Sequence, residues 1–174
     1  MTRQKLHLSL FGLISLVLSC ALQADELTFF TGNSSNLNQE SHLATEQNRK
    51  GLLIFYSTPT CPFCHRMKKT VLNQPEVQHF FKTNFHTIEL DILAEQPIYN
   101  FSNNQTTPKG FAKDNHIRVT PTLIFYDLKG ERLFKQVGII ADPQEFIWLG
   151  KYVLEEGYSH ESFSQYKRKK RSHH

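Results

Sequence analysis

The chain is poor in cysteine, with three in 174 residues, and it carries only two methionines and one tryptophan. Cys20 lies inside a leading apolar run, so the body of the protein holds only Cys61 and Cys64. Two thiols at this spacing do not make a disulfide scaffold, because a bridge closing so small a loop restrains the unfolded chain little. They also fill only half of a tetrahedral zinc shell, and no second paired motif completes it, so no metal site is expected. Reactivity is the better reason for their presence. A surface-wide positive charge is lacking as well. Of the 20 Lys and Arg, five lie in KRKKR at 167–171 and two in the first five residues, leaving 13 cations in the body against 16 acids. With no aromatic residue interleaved in KRKKR, nucleic-acid binding finds no support, and the run reads as a solvated, frayed helix end. Internal repeats are absent.

What is present begins with a targeting pattern. MTRQKLH carries Arg3 and Lys5 and leads into LSLFGLISLVLSCALQA, which is uncharged until Asp25. A cationic start, a short apolar stretch and small residues at its end describe a secretory signal peptide, cleaved after Ala21 or Ala24. The apolar run is short for a spanning helix. Val17, Leu18, Ser19 and Cys20 loosely resemble a lipoprotein processing site, an alternative in which Cys20 becomes the lipidated N-terminus. The expected location is periplasmic or secreted. The organisation expected is a signal over 1–24, an N-terminal extension over 25–47, the main domain over 48–158, and a C-terminal helix with its basic tail over 159–174.

Along the body, DELTFF reads as a short first strand, and residues 34–50 as a linker followed by a surface helix through Leu43 and Ala44. GLLIFYS, 51–57, is a short apolar run bounded by Gly51 and Pro59, which suits a strand buried on both faces. Pro62 suits the first turn of a helix, where its missing N–H is no loss, so Cys61 falls at the N-cap of a helix running through Met67 and Val71. PEVQHFFKTN starts a second helix at Pro75. Ile88, Leu90 and Ile92 alternate in FHTIELDI, which predicts a strand with one apolar face. Residues 93–107 form a long polar connection, and Pro108 restarts a helix. VTPTLIFYDL and ERLFKQVG flank Lys129-Gly130 as a hairpin with a tight turn. Asp142, Pro143 and Glu145 then form the start of an amphipathic helix bearing Phe146, Leu149 and Val153. Such an order predicts a three-layer α/β domain.

The chemistry centres on TPTCPFCH. A free thiol with a pKa near 8.5 is mostly protonated at neutral pH, and a helix N-terminus stabilises its anion. Cys61 has that position and Cys64, one turn inside, does not. Cys61 is therefore the expected nucleophile, with Cys64 resolving the mixed disulfide. His65, four residues after Cys61, is an ordinary surface histidine or a minor tuner of the thiolate. The same letters also read as C-x-x-C-H, a site for covalent haem. That alternative calls for a second axial ligand and a mostly helical wrapping, and Met67, the only methionine after the signal, is too close to reach the opposite face. A non-catalytic binding module is a third reading, which the intact dithiol opposes.

A strand, then Cys61-Pro62-Phe63-Cys64 at a helix start, then a distant Thr120-Pro121-Thr122 opening another strand, resembles the thioredoxin fold. That fold is α/β, a mixed central sheet with helices on both faces. KGLLIFYSTPTCPFCHRMKKTVLNQPEV, RVTPTLIFYDLKGERLFKQVG and FIWLGKYVLEEGYSHESFSQY are similar to the secreted SoxW-type thioredoxins, over roughly residues 48–166. The resemblance implies that Pro121 is cis, that Thr120 and Pro121 bind the substrate chain, and that Cys61 and Cys64 form the redox-active disulfide without a cofactor. It further implies a monomeric oxidoreductase acting on disulfide-containing secreted proteins, kept reduced by a membrane thiol donor of the DsbD or CcdA kind. Pro62-Phe63 resembles glutaredoxins, so a potential in the glutaredoxin-to-thioredoxin range is expected, with glutaredoxin-like or oxidising exchange as the alternative. Two departures stand out. Thr60 replaces the tryptophan that precedes the first cysteine in cytoplasmic thioredoxins, and GLLIFYS lacks the buried aspartate that accepts a proton there.

Overall fold

The structure is a computed structural model that describes residues 29–172. The signal, its cleavage positions and Cys20 lie outside the described residues, as do 25–28 of the proposed first strand.

Four strands form the central sheet in the order β2-β1-β5-β6. β1, Gly51–Ser57, is buried at every position. It pairs in parallel with β2, Phe85–Asp91, and antiparallel with β5, Thr122–Tyr126, while β6, Arg132–Val137, closes the far edge. With a neighbour on each side and helices on each face, β1 can be apolar throughout, as its sequence is.

On one face lie α2, Pro62–Met67, with its π-helical continuation Lys68–Leu72, then α3, Pro75–Asn84, and α5, Pro143–Leu154. They pack Phe81, Phe146 and Leu149, together with Phe29 from the segment before the first helix, against Leu53, Phe55 and Phe125 of the sheet. Phe81 and Phe146 stack with ring centroids 4.2 Å apart. On the other face α1, Leu37–Glu46, and α4, Pro108–Asp114, cover Leu52, Ile54, Ile88 and Ile124. The expected mixed sheet with helices on both faces is therefore present.

Several local expectations need correction. Phe29 and Phe30 are not strand, although the next residues hold the sheet edge: the Thr31 and Gly32 N–H groups donate to the Thr87 carbonyl at 2.9 and 3.0 Å. α1 is not a surface helix, because Leu37, Glu40, Ser41 and Ala44 are buried against the sheet. Glu40 meets His86 at 2.5 Å, a long-range partner that local sequence cannot announce. The connection 93–107 contains a small hairpin, β3 Ile98–Tyr99 with β4 Gln105–Thr106. Phe101 at its tip packs with its ring centroid 4.9 Å from that of Tyr126, and its carbonyl accepts the Asn38 side-chain N–H at 2.8 Å. Its ring also lies where a Cβ on Gly130 would stand, and Gly130 has φ +84, so only glycine fits there without strain. The β5–β6 connection, by contrast, is the expected tight turn: the Gly130 N–H donates to the Asp127 carbonyl at 3.1 Å, and the Asp127 N–H donates to the Glu131 carbonyl at 2.9 Å. Asp127 sets it by accepting the Lys129 and Glu131 N–H groups at 2.8 Å each.

The basic run is not frayed. It forms half of α6, Phe163–Ser172, which docks on α5: Lys167 donates to Glu145 at 2.9 Å, and Arg171 pairs with the same carboxylate. No described helix is long and apolar enough to cross a membrane.

Candidate functional site

β1 ends at Ser57, and the chain turns through Thr58–Thr60 so that the Cys61 N–H donates to the Thr58 carbonyl at 3.2 Å. Cys61 is extended and caps α2, with Pro62 at the first helical position. Its Sγ accepts the Cys64 N–H at 3.1 Å and its carbonyl accepts the His65 N–H at 3.1 Å. Cys61 and Cys64 are joined as a disulfide with Cα atoms 5.3 Å apart. They are 5% and 1% exposed, so the sulfurs sit in the apolar layer above Leu53, Phe55 and Leu123. His65 is exposed, and its Nε2–H donates to the Pro59 carbonyl at 2.8 Å, bracing the turn that leads into Cys61.

The second motif arrives at the same end of the sheet. Tyr56 pairs with Thr122 and Ser57 with Asp91, so the starts of β5 and the ends of β1 and β2 share one edge. The Thr120–Pro121 peptide bond is cis. Thr120 is half-buried and Pro121 buried. Around them the backbone is held by Thr122 Oγ1, which donates to the Val119 carbonyl at 2.7 Å, and by the Gly138 N–H, which donates to the Pro121 carbonyl at 2.9 Å.

Large apolar side chains stand open at this end. Phe63, between the cysteines, is 55% exposed; Val119, just before Thr120, is 52% exposed; Val137, opposite Thr122, is 51% exposed; and Leu93, two residues past β2, is 59% exposed. Among the described residues only Tyr99 shares that character and lies elsewhere. A collar of exposed apolar groups around a reactive pair is the surface expected of a site for macromolecules. Val137 and Leu93 join it through tertiary structure, and no local pattern singles them out.

Sequence reasoning also missed a polar cluster under α2. Glu89 lies opposite Phe55 in the β1–β2 register, on the sheet face that carries the cysteines. It accepts the Ser57 hydroxyl at 2.5 Å and pairs with Lys68, one helical turn after Cys64. Lys68 also lies 5.8 Å from the Phe30 ring centroid. β1 has no acid, and on the neighbouring strand Glu89 places a carboxylate on this face. Among the described residues no group of three or more His, Cys, Asp or Glu is arranged to hold a metal ion.

The model of a family described as a thioredoxin-like domain matches residues 37–154. Among solved structures, the chain is similar to a thioredoxin-fold protein from Helicobacter pylori, at 17% identity and a TM-score of 0.62, covering 84% of this chain and 90% of that one. The DsbH oxidoreductase is similar at 18% identity and a TM-score of 0.53, covering 77% and 92%. A thioredoxin from Thermus thermophilus follows at 18% and 0.51, covering 71% and 92%. At these identities the likeness speaks for the fold. No curated protein matches the sequence at a significant level.

Proposed function

We propose, from the premise that the chain belongs to the thioredoxin-like domain family, that it is a thiol–disulfide oxidoreductase that reduces disulfides of secreted proteins. One observation carries the reading: Cys61 caps α2 with its Sγ 3.1 Å from the Cys64 amide nitrogen, and the two sulfurs close on each other. In the reduced protein the same N–H and the helix start favour a thiolate at Cys61. That thiolate attacks one sulfur of the substrate disulfide; the other substrate sulfur leaves as a thiolate and takes up a proton. Cys64, once deprotonated, attacks Cys61 Sγ, breaks the mixed disulfide and releases the second substrate thiol. Two electrons have passed to the substrate, and the described Cys61–Cys64 disulfide is the product state.

Thr120 and Pro121 are assigned to substrate binding. The absence of an N–H at Pro121 leaves the neighbouring backbone free to pair with an extended chain, and the apolar collar supports a protein substrate. We assign Glu89 as the acceptor of the Cys64 proton, because it is the carboxylate beneath α2 that Lys68 and Ser57 hold. The leader read in the sequence and the resemblance to secreted SoxW-type thioredoxins support a periplasmic site of action, where a membrane thiol donor of the DsbD or CcdA kind restores the dithiol.

Insulin reduction with dithiothreitol tests the reading. Activity in the wild type that is lost in Cys61→Ser supports it, and equal turnover by both proteins sinks it. Cys64→Ser is expected to stall with substrate bound covalently to Cys61, and mass spectrometry of the trapped adducts would identify the substrates.

A further inference from the structure

We propose that a groove at the cysteine end of the sheet docks an acidic segment of the protein substrate, a few residues from the disulfide being reduced. This rests on the oxidoreductase reading and adds to it the chemistry of the substrate. The groove has a volume of about 950 Å³ and runs between the chain just past β2 and α4 with the turn that follows it. Ile92 and Ile117 form part of its floor, and Lys109, Lys113, His116 and Arg118 line it.

Its position relative to the cysteines is set by the backbone. The Ile92 N–H donates to the Ser57 carbonyl at 3.0 Å, and the Lys109 N–H donates to the Ala94 carbonyl at 3.1 Å, which ties the groove to the end of β1. Arg118 is three residues from Pro121, at most about 11 Å along an extended chain. The groove therefore opens on the same end of the sheet as Cys61.

Its charge is uncompensated. Lys113 and Arg118 are exposed, and among the described residues no carboxylate lies within ion-pair distance of either. The one ion pair in the groove, Lys109 with Glu95 at 2.6 Å, is exposed on both sides, so it contributes little and can open to an incoming carboxylate. Asp114 is the only other acid of the lining. Behind the turn, the Lys135 ammonium donates to the carbonyls of Asn115 and His116 at 3.1 and 2.9 Å. Burial holds its pKa below the ordinary lysine range, and the nearby charges of Arg132 and Arg118 add to that effect. Because the body as a whole has more acids than cations, this concentration is local.

The occupant is a polypeptide rather than a free anion. Leu93 and Val119, two members of the apolar collar, directly adjoin Ile92 and Arg118 in the chain, and a small anion would leave both uncovered. An extended segment with carboxylates on one stretch and apolar side chains toward its cysteine covers both surfaces, and its charge also steers encounter.

Two synthetic peptides with the same internal disulfide test the proposal, one with Glu three to six residues from a cysteine and the other with Gln there. The pre-reduced protein is expected to reduce the Glu peptide about fivefold faster, the effect of two exposed charge pairs. The advantage should fall toward unity in high salt and in Lys113→Gln/Arg118→Gln. Equal rates for the two peptides with the wild type overturn the groove while leaving the oxidoreductase reading intact. A second arm measures binding of both peptides to Cys61→Ser/Cys64→Ser by fluorescence anisotropy. Tighter binding of the Glu peptide without reduction of either by the wild type upholds the groove and removes the oxidoreductase reading; equal binding without reduction removes both.

Discussion

At the scale of single residues, the resolving step depends on where the Cys64 proton goes. β1 carries no acid, and Glu89 stands opposite Phe55 on β2, held by Ser57 and Lys68. Glu89→Gln keeps the shape and the Ser57 contact but removes the base. The expected outcome is an unchanged first attack by Cys61 and a resolving step slowed by about a hundredfold, the usual scale for loss of a positioned proton acceptor. Rapid-quench trapping of the mixed disulfide would measure it; the same lifetime in variant and wild type would return the role to water. Cys61 and Pro62 were legible in the sequence because capping is decided within four residues. Glu89 was not, because its role comes from a strand register that pairs residues 34 positions apart.

At the scale of elements, the last helix is held by a carboxylate it does not own. Glu145, in the first turn of α5, receives Lys167 and Arg171 from α6, while Tyr166 donates to Glu155 at 2.9 Å and the Tyr152 hydroxyl to the Glu161 carbonyl at 2.6 Å. Partial burial pushes the Glu145 carboxyl up, but the hydrogen bonds and charges of Lys167 and Arg171 outweigh it and leave the pKa below the ordinary glutamate range. A depressed carboxylate contributes stability that is fully present above its unfolded pKa of about 4.3 and is lost as pH falls through the folded value. Glu145→Gln is therefore expected to lower the melting temperature at neutral pH by a few degrees, corresponding to about 1 kcal/mol. The gap between variant and wild type should close in acid, below about pH 4. Melting curves by circular dichroism across that range check it, and a gap independent of pH would show that the two cations do not act through this carboxylate. The composition of KRKKR suggests solvation, and only the fold shows two of its cations meeting an acid 22 and 26 residues earlier.

At the scale of the whole molecule, the sheet gathers three separate stretches to one end: the cysteines after β1, the cis-proline before β5 and the exposed residues past β2. Pro62-Phe63 between the cysteines leads us to expect a reduction potential on the order of −200 to −270 mV, the range from glutaredoxins to thioredoxin. Equilibration with glutathione buffers would measure it, and a value near −120 mV would mark an oxidant instead and reverse the direction of electron flow. Acting as a monomer is expected too, and sedimentation equilibrium with no dependence on loading concentration would bear that out.

Local physics in the chain itself determined the kind of chemistry and most of the elements. Short apolar runs made β1 and β5, alternation made β2, prolines after a capping residue opened α2, α4 and α5, and two thiols three apart formed a reactive pair. Those signals act over a few residues, so they can be read along the chain. Tertiary structure alone decided the rest: Glu89 beneath α2 and the apolar collar near the pair, and, on the opposite face, α1 buried on His86, the folded insert that carries Phe101 and the cationic groove. Each depends on side chains far apart in sequence meeting across a parallel register or a packed helix face, and no local pattern encodes such a meeting.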